Sequence, residues 1–146
     1  MSHEIGKKLI IQKQYKKAFY IFSKLLENNS RDLKANFQMG KIYYELNSLD
    51  KSLFFFKKCN KIQPNTPNIL FNLALIFQSI GQIEEARKHY LNLIAINSND
   101  IKSYYGLSIL DIKYIETKLY NNLENIIKEN KISLFEKSLI NFIFSK

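Results

Sequence analysis

The sequence predicts an all-α fold, a right-handed superhelix of stacked antiparallel helix hairpins (an α-solenoid) with about nine helices. The first observation is a repeat, because residues of the same kind recur at a spacing of 34 positions. The matched sets are Phe37, Phe71 and Tyr105; Gly40 and Ala74; Tyr43 and Phe77; Asn47 and Gly81; and Phe56 and Tyr90. The second observation is composition: the 146 residues are 46% hydrophobic and include only four Gly and two Pro. A period of this length is typical of helix hairpins that bury their apolar faces only by stacking on one another.

Residues 67–100 show the repeat most clearly and predict two helices. The first helix spans Pro67 to Ile80, with Thr66 as its cap and Pro67 in the first turn, where a missing N–H costs nothing. Its apolar stripe consists of Leu70, Leu73, Ala74 and Phe77. Gly81 then provides a left-handed residue that ends the helix, and a second helix follows from Ile83 to Ile96. Asn47, at the equivalent place one unit earlier, tolerates the same conformation.

These residues resemble a known family. The tetratricopeptide repeat has seven characteristic places, which in order take a large residue, Leu, a small residue, an aromatic residue, Gly, Ala and an aromatic residue. In this sequence those places hold, in the same order, Leu70, Leu73, Ala74, Phe77, Gly81, Ala86 and Tyr90. The resemblance implies one domain over residues 1–146, with a slightly truncated first repeat (1–32), repeats at 33–66 and 67–100, a degenerate fourth repeat (101–130) and a terminal helix (133–146). Small residues are expected where the helices of a hairpin cross, with Gly6, Gly40 and Ala74 opposite Ala18, Ser52 and Ala86.

The fourth repeat departs from the pattern. Asp100 is expected to cap its first helix, but Asp111, Tyr120 and Glu124 do not match the repeat. The predicted second helix spans about Glu116 to Asn130. Its inward stripe is predicted to be Leu119, Leu123, Ile126 and Ile127.

The terminal helix, from Ser133 to the end, is apolar on nearly all sides, whereas a capping helix normally has a polar outer face. Three hypotheses follow: the helix folds back and fills the last groove of the array, it mediates a homodimer, or the chain is a fragment of a longer protein. The contact residues of such a homodimer would be Phe135, Leu139, Phe142 and Ile143. Residues 119–146 are also similar to the segment after the repeats in bacterial tetratricopeptide proteins with a sulfotransferase-like domain, which would make the chain a repeat module of a larger enzyme.

In tetratricopeptide arrays the first helix of each hairpin lines the concave side, so the resemblance implies a peptide-binding groove there. Its residues are predicted to be Lys7, Lys34, Phe37, Gln38, Lys41, Tyr44, Asn68, Phe71, Asn72, Leu75, Lys102, Tyr105 and Ile109, with His3, Ile10, Gln78 and Ile112 at further equivalent places. Phe37, Phe71 and Tyr105 would form an aromatic ladder flanked by lysines. Such a groove suits a peptide or protein partner that is acidic and has apolar anchors. The alternative is that the aromatic ladder packs between neighbouring first helices as part of the core.

The net charge of +9 is concentrated in the N-terminal part of the chain. Residues 1–61 contain 13 Lys or Arg and five Asp or Glu, a net charge of +8. Such a surface can attract an acidic peptide, a nucleic acid or an anionic membrane. However, Arg31 and Arg87 are the only arginines, and Arg is the usual carrier of bidentate phosphate and base contacts. A lysine-rich solvated surface is therefore favoured over nucleic-acid binding.

The sequence contains no catalytic constellation and predicts a non-catalytic interaction scaffold without a cofactor or metal. His3 is expected at a frayed end and His89 on a solvated helix surface, far from each other in the repeat frame. The single cysteine, Cys59, is expected to be a packed small residue without an internal disulfide. No apolar run is long enough for a signal peptide or a membrane span, so a cytoplasmic protein is expected.

Overall fold

The computed structural model describes residues 2–129 and 132–145, and this part of the chain consists of helices joined by short turns, without a strand. The helices are α1 (His3–Ile11), α2 (Tyr15–Asn28), α3 (Leu33–Glu45), α4 (Leu49–Ile62), α5 (Pro67–Ser79), α6 (Ile83–Ile96), α7 (Ile101–Leu110), α8 (Ile112–Tyr114), α9 (Tyr120–Lys128) and α10 (Leu134–Phe144). A π-helical turn over Ile115–Leu119 connects α8 to α9, so these two form one interrupted helix. Counted in this way, the described residues form nine helices, as predicted.

The helices stack as a continuous array of hairpins. Within the array α1 packs on α2, α3 on α4 and α5 on α6, and each second helix packs on the first helix of the next pair. One buried cluster joins α1 to α3, and a larger one runs from α4 to α10. The predicted all-α solenoid is therefore confirmed. The division into repeats at 1–32, 33–66, 67–100 and 101–130 remains a prediction.

The helices of a hairpin approach closely where one of them carries a small residue. The Ser52 hydroxyl donates a hydrogen bond to the Gly40 carbonyl oxygen at 2.8 Å, so these two residues do lie opposite each other. A Cβ atom at Gly40 would lie only 2.7 Å from the ring of Phe56, which is fully buried. Because Gly40 has no side chain, the aromatic ring of Phe56 fits between the two helices.

The turns between paired helices use the left-handed backbone conformation at equivalent places. Gly81 has a φ of +76° and Asn47 a φ of +54°, as the sequence predicted. Lys13, one unit earlier, has a φ of +56°. Lysine has no special tolerance for this region. Its turn is held by backbone bonds from the Lys13 N–H to the Ile10 carbonyl oxygen at 2.9 Å and from the Gln14 N–H to the Leu9 carbonyl oxygen at 2.8 Å.

Thr66 and Asp100 occupy the predicted N-cap positions, but neither side chain makes a capping bond to its helix. Thr66 makes no side-chain bond to the start of α5, because its hydroxyl donates to the Gln63 carbonyl oxygen at 3.2 Å. The carboxylate of Asp100 accepts a bond from the Ser103 hydroxyl at 2.6 Å instead of capping the backbone of α7. Pro67 does occupy the first turn of α5 as predicted.

The fourth unit deviates most, and Asp111 explains part of the deviation. Its carboxylate accepts a hydrogen bond from the Tyr114 backbone N–H at 3.1 Å and lies 3.1 Å from the Arg87 guanidinium of α6. These contacts hold the chain in a new helical start directly after α7. The second helix therefore begins at Ile112 rather than at the predicted Glu116, and the predicted end at Asn130 lies outside the described residues.

The π-helical turn changes which residues of this helix face inward. Leu123 and Ile126 are buried as predicted, and Leu119 packs against the core. Ile127, however, is 36% exposed, so its predicted inward position is wrong. A π-helical turn accommodates an extra residue and rotates the residues after it relative to a regular helix.

Candidate binding groove

The residues predicted for the groove lie on the first helices α1, α3, α5 and α7, and none of them is buried. The most accessible are Lys34, Lys41, Asn68, Lys102 and Ile109, which are exposed. The others are half-buried, namely Lys7, Phe37, Gln38, Tyr44, Phe71, Asn72, Leu75 and Tyr105. The solenoid thus leaves all these side chains within reach of a ligand.

A first pocket, which we name the α1–α3–α5 pocket, has a volume of about 230 Å³. Five predicted groove residues line it, Lys7, Lys34, Phe37, Gln38 and Asn68, together with Leu33, Thr66 and Ile69. Its lining is therefore largely apolar and includes two lysines. The Lys7 ammonium group lies 3.1 Å from the Glu4 carboxylate in an exposed ion pair, a type of contact that contributes little to stability.

A second pocket, the α7–α10 pocket, has a volume of about 370 Å³. Its walls combine predicted groove residues with residues predicted for self-association: Phe71, Leu75, Lys102, Tyr105 and Ile109, and Phe135 and Leu139 of α10. Gln78, Tyr90 and Gly106 complete the lining. The two sets of residues, proposed for different functions, therefore meet in one place.

Three of the predicted groove residues line neither of these two pockets. Lys41 is exposed on α3, and the ring of Tyr44 packs against the larger core cluster. The side-chain amide of Asn72 donates a hydrogen bond to the Asn68 carbonyl oxygen at 2.6 Å. This bond stays within α5 and occupies one of the two donors of the Asn72 amide.

Each ring of the aromatic ladder packs against another ring. Phe37 meets Phe56 edge to face with their centroids 5.2 Å apart, and Phe71 meets Tyr90 at 6.1 Å. Tyr105 meets Phe142 of α10 at 5.1 Å. The ladder is thus half-buried between the core and the surface, and aromatic partners fix the orientation of its rings.

Tyr90 and Gly106 are pocket residues that the sequence reasoning missed. A Cβ atom at Gly106 would lie 2.4 Å from the Tyr90 ring, so the glycine leaves room for this side chain. The Tyr90 hydroxyl donates a hydrogen bond to the Gln78 side-chain oxygen at 2.8 Å. The signal for this contact was a glycine beside the ladder residue Tyr105, where the earlier units have Gln38 and Asn72.

The terminal helix α10 folds back onto α7, which agrees with the first of the three hypotheses for this segment. Ser133 and Glu136 form a reciprocal capping box that starts the helix. Ile143 is only 3% exposed, so the structure contradicts its predicted role in self-association: its side chain belongs to the core. Phe135 and Phe142 are 59% and 38% exposed, and Leu139 is half-buried.

The two histidines are placed differently from the sequence expectation. His3 is held by a 2.8 Å contact between its Nε2 atom and the Asp32 carboxylate, which also caps α3 through Ala35, so His3 is not frayed. His89 is half-buried and stacks on Phe77 with ring centroids 5.5 Å apart, so it is not a fully solvated residue. Burial lowers the pKa of the His89 imidazole.

The described residues contain little that could support metal or thiol chemistry. Residues 2–129 and 132–145 include no cluster of His, Cys, Asp or Glu that could hold a metal ion. Cys59 is buried and unpaired, and burial raises the pKa of its thiol to about 12. A thiol with such a pKa is a poor nucleophile near neutral pH. None of the helices described is long and apolar enough to cross a membrane.

Comparison with known proteins agrees with this fold. Residues 11–93, more than half of the chain, match the sequence model of the family described as anaphase-promoting complex, cyclosome, subunit 3. The BBSome complex member BBS4 of Bos taurus is 28% identical over 101 residues, which are 69% of this chain and 19% of that protein. The chain thus spans about a fifth of the length of this relative.

Solved structures of tetratricopeptide proteins share the architecture. MamA (41-end) from Desulfovibrio magneticus RS-1 is similar with a TM-score of 0.75 at 15% identity, over 90% of this chain and 76% of that chain. YrrB, described as a TPR protein with an unusual peptide-binding site, gives a TM-score of 0.71 at 14% identity, over 97% of this chain and 74% of that chain. The resemblance of residues 119–146 to sulfotransferase-associated repeats gains no support from these comparisons. The repeat period, the stacked hairpins and the family match agree: the chain belongs to the anaphase-promoting complex subunit 3 family of tetratricopeptide-like proteins.

Proposed function

We propose that this protein is a non-catalytic interaction scaffold that binds an acidic segment of a partner protein along the first helices of the array. The observation that carries the proposal is the α1–α3–α5 pocket, whose lining combines Phe37 with Lys7 and Lys34. An apolar side chain of the ligand would pack on Phe37, and a neighbouring carboxylate would face the lysines.

The charges around the groove support an acidic ligand. Among the described residues, neither Lys34 nor Lys41 has an ion-pair partner. The N-terminal part of the chain also carries most of the positive charge. Such a field increases the rate at which an acidic segment meets the groove, and like charges disfavour basic segments.

The comparisons support a role within a protein assembly. The family takes its description from a subunit of the anaphase-promoting complex, and the bovine relative is a member of the BBSome complex. We infer from these names that the present chain contacts other proteins in a complex. A cytoplasmic location fits the buried, unpaired thiol of Cys59, because a reducing compartment keeps such thiols free.

Peptide selection followed by matched variants tests the proposal. Full-length protein would be used to select peptides from a displayed random library, and the affinity of the selected peptides would be measured by fluorescence anisotropy. We expect acidic sequences with a large apolar residue, and a loss of about tenfold or more in affinity with Phe37→Ala and Lys34→Glu together.

The matched control replaces the same residue types on second helices. Phe54 of α4 is 62% exposed, and Lys88 of α6 is accessible as well, so Phe54→Ala with Lys88→Glu should leave the affinity unchanged. Equal losses in the two double variants would contradict the groove assignment. Selection of basic peptides, or tighter binding of RNA or DNA than of any peptide, would contradict the proposal as a whole.

A homodimer through the outer surface of α10 is a second candidate, favoured by exposed apolar side chains. Leu134 is 86% exposed, and Phe144 is 43% exposed and packs against the equally accessible Tyr120 at a centroid distance of 5.5 Å. Light scattering at several concentrations should then show a dimer that Leu134→Asp converts to a monomer. A monomer at every concentration would rule this assembly out.

A further inference from the structure

The position of α10 departs from the order of the regular hairpins. In the regular part, each second helix packs on the next first helix: α2 on α3, α4 on α5 and α6 on α7. A helix that continued this order would pack mainly on α9. Instead, α10 packs on α7, and its side chains Phe135 and Leu139 line the α7–α10 pocket together with Phe71 and Leu75 of α5. The terminal helix therefore lies over the C-terminal part of the candidate groove.

The side chains of α10 that line or contact the groove are of the kind expected in a groove ligand. Phe135, Leu139 and Phe142 are spaced as i, i+4 and i+7, the pattern by which an amphipathic helix binds in a groove. Leu139 packs against the core cluster, and Phe142 contacts the ladder residue Tyr105 at 5.1 Å.

An acidic residue on the same helix completes the match. The pKa of the Glu136 carboxyl is lowered, first by hydrogen bonds from Ser133 and in smaller part by the positive charge of Lys102. Lys102 is the groove lysine of α7 and also lines the α7–α10 pocket. The helix thus combines apolar anchors with a carboxylate whose charged form the positive charge of Lys102 favours.

We infer that α10 is an intramolecular ligand of the groove, and that the α5–α7 part of the groove binds an external helix of the same kind in its place. The external helix carries apolar residues at i, i+4 and i+7 and an acidic residue beside the first of them. The inference rests on the proposed function, because it assigns a ligand class and a means of regulation to the same groove. While α10 is bound, it occupies part of the α5–α7 groove, and the α1–α3–α5 pocket remains free for an external ligand.

The packing of α10 is looser than that of the helices beneath it, as expected of a replaceable segment. Six residues of α7 are buried, with Tyr104 and Leu107 fully enclosed, whereas α10 buries two, Ile140 and Ile143, and leaves Leu134 86% exposed. The pocket of about 370 Å³ between α10 and the groove is also not filled by side chains. Segments with few buried apolar contacts open at a lower free-energy cost than the core.

A binding experiment with α10 as a separate peptide tests the inference. The probe is a fluorescein-labelled synthetic peptide with the sequence of residues 132–145, and the receptor is the full-length protein. The wild-type protein should bind it weakly, because the fraction of molecules with an open groove limits the apparent affinity. Leu139→Ala with Phe142→Ala in the protein weakens its own α10, so the peptide should bind about tenfold more tightly.

Two further variants show whether the peptide binds in the groove. Ile109 of α7 is 43% exposed and lines the α7–α10 pocket, so Ile109→Arg added to the double variant should abolish the binding. Phe54→Ala, outside the pocket, serves as the control and should have no effect. Circular dichroism confirms that each variant is folded, and Leu139→Ala alone is used if the double variant is not.

The outcomes separate this inference from the proposed function. Equal affinity of the peptide for the wild-type protein and the α10 variant would overturn it, as would binding that survives Ile109→Arg. In either case the selected acidic peptides should still depend on Phe37 and Lys34. If those peptides ignored Phe37 and Lys34, the proposed function would fail even where the α10 peptide behaved as expected.

Discussion

The regular hairpins α1 to α6 and the C-terminal part α7 to α10 differ in which helix supplies the ring that packs on each ladder residue. In α3 and α5, the ladder rings of Phe37 and Phe71 pack on Phe56 and Tyr90 of the adjoining second helices. The equivalent place in the fourth unit is Glu124, and the ring that packs on Tyr105 comes from α10. The fourth unit therefore keeps an aromatic contact at this place, although the second ring comes from a helix distant in sequence.

The two regions also differ in how tightly their helices are held. Phe56 and Tyr90 are fully buried, whereas Phe142 is 38% exposed. Second helices are tied to their partners by short turns and pack on two neighbours, while α10 packs mainly on α7. In a repeat array, stability is close to a sum of local contributions, so the C-terminal contact should open first.

Removing an aromatic ring should destabilise the protein far more in the regular hairpins than in α10. Phe56→Ala should lower the free energy of unfolding by about 3–5 kcal/mol, because it leaves a cavity between Phe37 and Gly40. Phe142→Ala removes a ring that is already partly solvated and should cost about 1–2 kcal/mol. Urea denaturation followed by circular dichroism measures both values.

Hydrogen exchange shows where each loss occurs. Phe142→Ala should increase exchange in α10 and leave α5 and α6 protected, whereas Phe56→Ala should increase exchange throughout α3 to α5. An equal cost for the two substitutions would mean that α10 is as firmly integrated as a regular second helix. That result would break the distinction between the two regions.

A smaller effect is expected at the turns, where the regular hairpins differ among themselves. Gly81 has a φ of +76°, and none of the described atoms lies within 4 Å of the position that a Cβ would occupy there. Gly81→Ala therefore introduces backbone strain alone and should cost about 1 kcal/mol. Lys13→Gly, at a φ of +56°, should stabilise the protein by up to about 1 kcal/mol, since the relief of strain exceeds the added flexibility of glycine.

Asn47 provides the internal control for the turns. Its φ of +54° is nearly that of Lys13, but asparagine tolerates this region well, so Asn47→Gly should change stability little. Thermal unfolding of the three variants gives the order. A destabilising effect of Lys13→Gly would show that lysine makes contacts in the first turn that outweigh its backbone strain.

The fold could be predicted where local sequence determines structure. The predicted second helix from Ile83 to Ile96 has the observed bounds, and the first helix ends at Ser79, one residue before the predicted Ile80. Both predictions were close because the apolar period, Pro67 and Gly81 affect only residues near them in the sequence. The π-helical turn after α8 was missed. It follows a helical start at which Asp111 contacts Arg87 of α6, and no periodic pattern in the sequence reports such a tertiary contact.

The candidate groove shows the same limit. The repeat register correctly assigned Phe37, Phe71 and Tyr105 to first helices, and in the structure their side chains are half-buried and still within reach of a ligand. It could not show that Phe135 and Leu139 line the same groove, because an apolar helix can pack on many surfaces. The packing of α10 on α7 is a tertiary contact, which the repeat register does not report.

The smallest expected effect concerns His89, on the regular side of the comparison. Burial lowers the pKa of its imidazole, with a further lowering by Lys88 and an opposing effect of Glu85. The folded state therefore binds a proton less readily than the unfolded chain, whose histidine has a pKa of about 6.5. As pH falls below that value, protonation favours the unfolded chain, so stability declines until the lowered pKa of the folded state is passed.

The NMR titration of the His89 ring should have a midpoint below 6.5, lower still with Glu85→Gln and higher with Lys88→Gln. His89→Gln should remove this part of the pH dependence. A midpoint at or above 6.5 would mean that the stacking of His89 on Phe77 does not desolvate the ring, and that α6 is more open at this place than the rest of the regular array.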